Sequence, residues 1–210
     1  MDYPAIMLTA IAYLIGGIPV GYLLARARGV NLFEVGSGNI GATNVLRALG
    51  LKLGLAAWLG DVAKGLLAVS LARWAHQPEA ALAAAGVAVV VGHCISPYLC
   101  FRGGKGIATS LGVLLATDWH VGLAAFAVWL VLIFAWRIVS LASVAATLSI
   151  LPFGQLLHDT PAYLLMTGAL TCLVLVRHHE NVDRLLRGEE KPMGSRRPPA
   201  EAAADPDPHA

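Results

Sequence analysis

Residues 121–157 read VGLAAFAVWLVLIFAWRIVSLASVAATLSILPFGQLL, and Arg137 is the only charged side chain among them. The apolar runs on either side of it, residues 121–136 and 139–157, approach the length of about 20 residues that a helix needs to cross a bilayer. A bilayer core offers no water to pair with backbone N–H and C=O groups, so such runs are predicted to be membrane helices. The same pattern continues through most of the chain.

The composition of the whole chain is that of a protein embedded in lipid. Of its 210 residues, 57% are hydrophobic and 13% are charged, and the mean hydropathy is +0.68. Soluble domains carry about 25% charged residues, so this composition excludes a disordered chain, a coiled coil and most soluble enzymes. The net charge of +2, with scattered basic residues, argues against a nucleic-acid-binding protein. The three cysteines show neither disulfide nor metal-ligand spacing, so no metal site is predicted.

The predicted fold class is an all-α integral membrane protein with about seven transmembrane helices. The segments are residues 5–25, 53–71, 80–99, 107–117, 121–136, 139–157 and 162–176. The fourth is short for a full crossing, so a half-helix or a re-entrant segment is the alternative there. The first has no preceding basic residue and no evident cleavage site, so it is interpreted as a membrane helix and not as a signal peptide.

The distribution of basic residues predicts the orientation of these segments. If the N-terminus lies outside and all seven segments cross, 13 of the 15 Lys and Arg residues fall on the inner side, as the positive-inside rule requires. The C-terminus is then cytoplasmic. Residues 1–190 are interpreted as one polytopic membrane domain, and residues 191–210, which are rich in Pro, Ala and charge, as a disordered cytoplasmic tail.

Three inner-side loops carry polar residues that simple connections between helices do not need. Residues 36–44 read GSGNIGATN and are followed by Arg47. Alternating glycines let the backbone approach a ligand closely, and the guanidinium of Arg47 suits a phosphate or a carboxylate. The alternative is a flexible polar loop, because a glycine pattern alone is weakly informative.

The second loop ends in residues 101–106, FRGGKG, directly before the apolar segment 107–117. A Gly-Gly-Lys-Gly turn that opens a helix presents free backbone N–H groups, the positive end of the helix dipole and an ammonium group. This combination indicates a phosphate-binding loop. It is not a Walker A motif, because Gly106 follows Lys105 where Ser or Thr is required, so nucleotide binding is not predicted.

The third loop, residues 177–190, reads RHHENVDRLLRGEE and has the highest charge density before the tail. His178 and Asn181 are three residues apart and would share a helix face. The alternative is a charged end that anchors the last span. His178 and Asp183 match a His-x4-Asp acyltransferase pattern, but residues five apart on a helix point about 140° apart, so this dyad is rejected.

Polar side chains also lie inside the predicted spans. Asp61 and Lys64 are three residues apart in segment 53–71, where paired charges are costly and face the protein interior. They are interpreted either as part of a functional site or as an ion pair that holds helices together. Ser140 and Ser143, at the start of segment 139–157, either cap that helix or point into the same site.

Three motifs taken together resemble one family. They read GSGNxGATNxxR (36–47), GHxxxP…FxGGKGxAT (92–109) and RHxxNxxRLxxGxE (177–190), and the resemblance covers about residues 4–190. The family is the bacterial membrane acyl-phosphate:glycerol-3-phosphate acyltransferases, the PlsY family. The resemblance implies transfer of a fatty acyl group from acyl phosphate to the 1-hydroxyl of sn-glycerol 3-phosphate, giving lysophosphatidic acid and phosphate, the first step of phospholipid biosynthesis. It implies no cofactor and no metal, with the two substrates and the lipid bilayer as the partners.

The resemblance also implies a site on the cytoplasmic side of the bacterial plasma (inner) membrane. Lys105 would hold one phosphate with the loop amides, and Arg47 with Ser37 would hold the other. His178 and Asn181 would orient the substrates, and the hydroxyl proton would go either to His178 or to the donor phosphate. The catalytic candidates are thus His178, Asn181 and Lys105. The substrate-binding candidates are Ser37, Thr43, Asn44, Arg47, Gly103, Gly104, Lys105, Gly106 and Ser143.

The alternative function is a small membrane transporter or channel for phosphate or an organic anion, with these loops as its inner gate. Two features count against it. Apart from Asp61 and Lys64, the spans hold few polar residues to line a path, and the chain shows no duplicated halves.

Overall fold

The computed structural model describes residues 2–158, 160–190 and 192–193. These residues form ten α-helices and a short 3-10 turn at Pro97–Leu99, and none of them is in a strand. The helices are α1 (Tyr3–Gly17), α2 (Val20–Arg26), α3 (Ala42–Leu49), α4 (Leu51–Trp74), α5 (Glu79–Cys94), α6 (Ile107–Thr117), α7 (Trp119–Trp136), α8 (Val139–Leu157), α9 (Pro161–Arg177) and α10 (His179–Leu186). The predicted all-α class is therefore confirmed. The predicted tail, residues 191–210, lies outside the described residues apart from Pro192 and Met193.

Every apolar segment predicted from the sequence coincides with a helix or with two consecutive helices. Five helical stretches of the described chain are long and apolar enough to span a bilayer: Tyr3–Arg26, Leu51–Trp74, Glu79–Leu99, Trp119–Trp136 and Val139–Leu157. A sixth stretch consists of α9 and α10, which meet at an angle of 65°. The number of crossings, about seven, stays a prediction, because it depends on α9 and on the short helix α6.

α6 is shorter than a bilayer is thick, and each of its residues is at least partly covered by protein. Its 11 residues extend about 16 Å at 1.5 Å per residue, against about 30 Å of hydrocarbon. No residue of α6 is exposed, and Thr109, Ser110 and Gly112 are buried. Burial of this kind is how membrane proteins accommodate a segment that does not span the lipid alone.

Glycines let two pairs of helices approach until their backbones touch. Between α4 and α6, a Cβ at Gly65 would overlap the carbonyl oxygen of Thr109, and a Cβ at Gly112 would overlap that of Val62. α1 and α5 meet in the same way, through Gly16 and Gly92. Small residues at helix contacts are the usual device in lipid, where apolar side chains gain little by leaving their solvent.

The first apolar segment breaks where the sequence predicts a continuous helix. α1 ends at Gly17 and α2 begins at Val20, with Ile18 and Pro19 between them. Pro19 has no N–H to continue the helical ladder. The carbonyl of Ile18 lies in this break, where it accepts from the backbone N–H of Val20 and from the ammonium of Lys64 on α4, both at 3.1 Å.

The three polar loops meet at one end of the bundle. Leu99 packs against a small apolar cluster from the first loop and α3, which includes Leu32, Ile40 and Val45. The guanidinium of Arg102 lies 3.8 Å from the centroid of the Phe33 ring, a cation–π contact between the first and second loops. The second loop in turn contacts the start of the third, as described next.

Candidate active site

The loop between α2 and α3 is organised by the buried side chain of Asn44. Its Nδ2 donates hydrogen bonds to the backbone carbonyls of Leu32 (3.3 Å), Val35 (3.0 Å) and Asn39 (2.9 Å). Its Oδ1 accepts a hydrogen bond from the backbone N–H of Ser37 at 3.1 Å. Asn44 is 2% exposed, so its amide is committed to the loop and not to solvent.

This arrangement leaves two predicted binding groups at the surface. Gly36, at φ +60°, lies so close to Asn44 that a Cβ would overlap Oδ1 of the asparagine. The loop therefore winds tightly around one amide, and Ser37 remains exposed on its outer side. Arg47 is exposed in the last turn of α3, and Thr43 is half-buried in the first turn.

Gly103 and Gly104 are buried and held from two sides. Nε of Arg177 donates to the carbonyl of Gly104 and Nη2 donates to that of Gly103, both at 3.1 Å. On the other side, the N–H of Gly104 donates to the carbonyl of His93 at 3.0 Å. Both carbonyls are thus turned toward the arginine, and the chain continues into Lys105 and Gly106.

The turn at Lys105 and Gly106 presents donors where α6 begins. Gly106 precedes the first residue of α6 and adopts φ +88°, a conformation that glycine reaches without strain. The N–H groups of Lys105 and Gly106 have no hydrogen-bond acceptor among the described residues. Free amides, the positive end of the α6 dipole and the Lys105 ammonium together form the anion-binding arrangement expected from the sequence.

Lys105 and Asn181, two of the predicted catalytic residues, are in contact. The ammonium of Lys105 donates a hydrogen bond to Oδ1 of Asn181. Nδ2 of Asn181 donates to Oε1 of Glu190 at 2.8 Å, and Nε of Arg184 donates to Oε2 of the same carboxylate at 2.6 Å. A chain of polar groups therefore runs from the phosphate-binding turn to Glu190.

The third predicted catalytic residue, His178, is buried just past the end of α9, with 4% of its surface exposed. Its Nδ1 donates to the carbonyl of Val174 at 2.8 Å, which leaves the lone pair on Nε2. Burial lowers the pKa of His178 to about 4, and the positive charge of Lys105 acts in the same direction. His178 is therefore neutral near pH 7, with Nε2 able to accept a proton or a hydrogen bond.

The surroundings shift the pKa values of Lys105 and Glu190 downward. Burial lowers the pKa of Lys105 below its ordinary value, and the nearby guanidinium of Arg184 adds to the effect. Burial opposes ionisation of Glu190, but the nearby hydroxyl of Ser140 and the hydrogen bonds from Arg184 and Asn181 outweigh it and lower the pKa of this carboxyl. Glu190 therefore stays an anion among positive groups, and it restores part of the charge balance around Lys105.

Ser143 lies one helical turn beyond Ser140 on α8, and both are buried. The hydroxyl of Ser143 accepts a hydrogen bond from the indole N–H of Trp129 at 3.2 Å. Trp129 continues a stack with Phe126 and Trp58, whose neighbouring ring centroids are 6.2 and 5.8 Å apart. An aromatic wall from α7 and α4 thus reaches the beginning of α8.

The geometry joins some of the predicted residues and leaves others apart. Lys105 and Asn181 are in contact, and the positive charge of Lys105 contributes to the lowered pKa of His178. The first loop connects to the second through Arg102 and Phe33, and the described contacts do not bring Ser37, Thr43 or Arg47 against Lys105. Arg177 and Glu190 were part of the predicted third loop without an assigned role. The signal for Arg177 was a charged residue directly at the end of the last apolar segment, whereas Glu190 was one of several charged residues in the run 177–190.

Comparison with known proteins places this arrangement in a family. The family model "Glycerol-3-phosphate acyltransferase" matches residues 6–188. A glycerol-3-phosphate acyltransferase of Caulobacter vibrioides is 42% identical over 197 residues, covering 93% of this chain and 90% of the relative. One from a Jannaschia species is 47% identical over 193 residues, covering 89% and 92%.

Solved structures agree with the sequence comparison. The crystal structure of PlsY, an integral membrane glycerol 3-phosphate acyltransferase, in its glycerol 3-phosphate form has a TM-score of 0.88 to this chain at 41% identity. The alignment covers 91% of this chain and 96% of that one. The lysophosphatidic acid form of PlsY gives a TM-score of 0.86 at 40% identity with the same coverage. The chain therefore belongs to the glycerol-3-phosphate acyltransferase family, in its integral membrane PlsY form.

Proposed function

We propose that this protein transfers a fatty acyl group from acyl phosphate to the 1-hydroxyl of sn-glycerol 3-phosphate. Family membership supports the acyltransferase over a transporter. The observation that carries the donor assignment is that the loops hold two separate groups of anion-binding residues, Lys105 with the 103–106 turn and Arg47 with Ser37. Two phosphate-bearing substrates would occupy both groups. A thioester donor has sulfur and not phosphate on its acyl carbon, so it would leave the group beside that carbon without a phosphate.

The reaction does not need a strong nucleophile from the protein. The 1-hydroxyl oxygen attacks the acyl carbon, the bond from that carbon to the phosphate oxygen breaks, and inorganic phosphate leaves with the electron pair. The hydroxyl proton goes to Nε2 of His178 or to a phosphate oxygen of the donor. Because the acyl group is already activated, positioning of the two substrates and neutralisation of their charges supply most of the acceleration.

Each predicted site residue then has a role. Lys105 and the amides of the 103–106 turn hold one phosphate, while Asn181 keeps the ammonium of Lys105 in place. Arg47 and Ser37 hold the other phosphate, with Thr43 and Asn44 shaping the loop that carries Ser37. Neutral His178 orients the attacking hydroxyl, and Ser143 borders the reacting carbonyl.

The acyl tail would lie along the lipid-facing side of α7 and α8. An apolar groove of about 460 Å³ runs there and is lined by Ala124, Ala127, Val128, Val131, Leu132 and Phe153. Phe153 is ten residues beyond Ser143, about 15 Å along a helix. This distance suits a chain whose carboxyl end is near Ser143. Because the acyl chain already lies in lipid, the groove would orient it and would add little transfer free energy.

The site would face the cytoplasm in a protein with seven membrane segments, an outer N-terminus and an inner C-terminus. The positive-inside distribution of Lys and Arg supports this orientation, as does the cytoplasmic location of a soluble glycerol phosphate. Residues 1–190 would then act as one catalytic domain. Exposed Cys100 in the second loop is a natural reporter: a membrane-impermeant maleimide should label it only after cells are permeabilised, with Cys100→Ser as the control.

The donor is tested with purified protein in detergent, where a transporter has no compartments to connect. Palmitoyl phosphate and palmitoyl-CoA are each supplied with glycerol 3-phosphate, and the acylated product is measured. We expect product from palmitoyl phosphate and none from the thioester. Product from the thioester alone would overturn the donor assignment.

A further inference from the structure

A buried group of charged and polar residues lies directly behind the phosphate-binding turn. Asp61, Lys64 and His93 have 3–5% of their surfaces exposed. Nζ of Lys64 is 2.8 Å from Oδ1 of Asp61 and 2.7 Å from Nδ1 of His93. The same nitrogen donates to the carbonyl of Ile18 at 3.1 Å. The group therefore joins α4, α5 and the break between α1 and α2.

The donors of the ammonium determine the state of the imidazole. A lysine ammonium has donors and no acceptor; Nζ of Lys64 hydrogen-bonds Nδ1 of His93 and the carbonyl of Ile18, and it forms an ion pair with Asp61. Nδ1 of His93 must therefore accept, so the ring proton is on Nε2. The ammonium thus fixes the tautomer of His93, and Lys64 together with Asp61, whose Oδ1 is 3.5 Å from the same ring nitrogen, orients the ring.

The phosphate-binding turn packs directly against His93. A Cβ placed on Gly104 would overlap Nε2 of His93, and one placed on Gly103 would overlap the carbonyl oxygen of His93. The N–H of Gly104 also donates to that carbonyl at 3.0 Å. Arg177 holds the two glycine carbonyls from the other side, so the segment that leads into Lys105 is packed between the His93 ring and the Arg177 guanidinium.

A purely structural contact between helices would not need these charges. Buried ion pairs add little stability compared with apolar residues of similar volume, because their desolvation is costly. Within lipid the cost makes an intramembrane charge a sign of function. Here the charged group joins helices and also reaches the phosphate-binding turn, through the contact of His93 with Gly103 and Gly104.

We propose that Asp61, Lys64 and His93 form a positioning network that holds Gly103 and Gly104 where the turn can bind phosphate. The inference rests on the proposed function only in taking that turn as a substrate-binding element. None of the three residues contacts substrate. Lys64 fixes His93, Asp61 balances the charge of Lys64, and His93 supports the turn.

The test compares the KM values of both substrates in Lys64→Met and in the double variant Asp61→Asn/Lys64→Met, which removes both charges with little change in volume. Lys105→Met identifies the substrate that the turn binds. We expect both network variants to raise the KM of that same substrate, by up to about 100-fold, as small misplacements of a binding group do. The other KM should stay within about twofold of wild type, as for independent sites.

Met166→Ala is the matched control for a structural effect. Met166 is buried in the main apolar cluster with Leu170 and Tyr163, so this variant lowers the thermal unfolding midpoint without touching the turn. A result in which the network variants behave like Met166→Ala, with a lower midpoint and both KM values unchanged, would overturn the proposal. An equal rise in both KM values would do so too.

A calorimetric measurement separates this inference from the proposed reaction. If wild-type protein does not use acyl phosphate, the proposed function fails, but the turn can still be titrated with inorganic phosphate. The network variants should then lose the same phosphate affinity that Lys105→Met loses. Wild-type phosphate affinity in the double variant would contradict the network.

Discussion

Replacement of Lys105 by methionine tests the phosphate-binding turn at its one charged group. Methionine keeps most of the aliphatic length of lysine but removes the ammonium and its hydrogen bond to Asn181. Asn181 remains held by its second bond, 2.8 Å to Glu190. The turn itself is held by Arg177 and His93. The change should therefore remove a charge from the site and leave the surrounding backbone in place.

The size of the effect follows from the interactions lost. In the complex, the ammonium of Lys105 faces a phosphate in a partly buried site, and removing one such donor from an enzyme costs about 2.7–4 kcal/mol. At about 1.36 kcal/mol per factor of ten, kcat/KM should fall by about 100-fold to 1,000-fold. The KM of one substrate should carry most of the loss, because the charge binds the phosphate before the transition state as well as in it.

The assay is phosphate release from palmitoyl phosphate and glycerol 3-phosphate in detergent, with each substrate varied in turn. Lys105→Arg is the control, since it keeps the charge. Burial lowers the pKa of Lys105. As pH rises, wild-type activity should therefore begin to fall before the ordinary lysine pKa of about 10.4 is reached. The arginine variant should retain its residual activity to higher pH, because a guanidinium stays protonated. A methionine variant with kcat/KM within about twofold of wild type would refute the reasoning, because a change of about 0.5 kcal/mol is no larger than ordinary surface substitutions produce.

Three further predictions concern the groups around the turn. Asn44→Ala should lower the unfolding free energy by about 1–3 kcal/mol, because buried loop carbonyls lose their donor; an unchanged denaturation midpoint would show that the loop does not depend on this amide. Glu190→Gln should flatten the loss of stability in acid. The pKa of Glu190 is lowered in the folded protein, so its ionised form stabilises the fold above the unfolded value of about 4.3, and this contribution disappears as pH falls through the lower folded value. Unfolding midpoints measured at pH 6 and at about pH 3, well below the unfolded value, that fall equally in variant and wild type would count against the assignment. His178 should titrate near pH 4 in nitrogen-15 NMR of histidine-labelled protein, with His178→Gln identifying the signal; titration near the ordinary value of about 6.5 would contradict its burial.

The sequence predicts the helices well because lipid leaves few choices. An apolar run in a bilayer must satisfy its own backbone, and it does so as a helix, so every predicted segment coincides with helical structure. The break at Ile18 and Pro19 is not evident from hydropathy, which stays high across it. Its structural role involves Lys64, 46 residues away in the sequence, whose ammonium donates to the carbonyl of Ile18.

The site is predicted in part for a similar reason. Chemistry that is local in sequence, such as the Gly-Gly-Lys-Gly turn before α6, is recognisable from residue types alone. The contact between Lys105 and Asn181, 76 residues apart, required the fold. The role of Arg177 required the fold as well. Its position in the sequence indicates only a membrane boundary, whereas the structure shows that it donates to two glycine carbonyls.

Asn44 shows how a residue type can suggest two different roles. In a Gly-rich polar loop its amide could have faced a ligand, yet it is buried and bonded to four backbone groups of that loop. Ser37 and Arg47, which remain exposed, are the groups free to meet a substrate. Which polar side chains bond the backbone of their own loop, and which stay exposed to a ligand, is evident only from the three-dimensional structure.

The most direct test of the central claim is to count both products of one reaction. Purified protein is given palmitoyl phosphate and carbon-13-labelled glycerol 3-phosphate, and labelled lysophosphatidic acid is measured by mass spectrometry beside inorganic phosphate. Acyl transfer predicts equal amounts of the two products, neither of them without both substrates, and a large loss of both in Lys105→Met. Phosphate released without labelled lysophosphatidic acid, or equal turnover in Lys105→Met, would contradict the account.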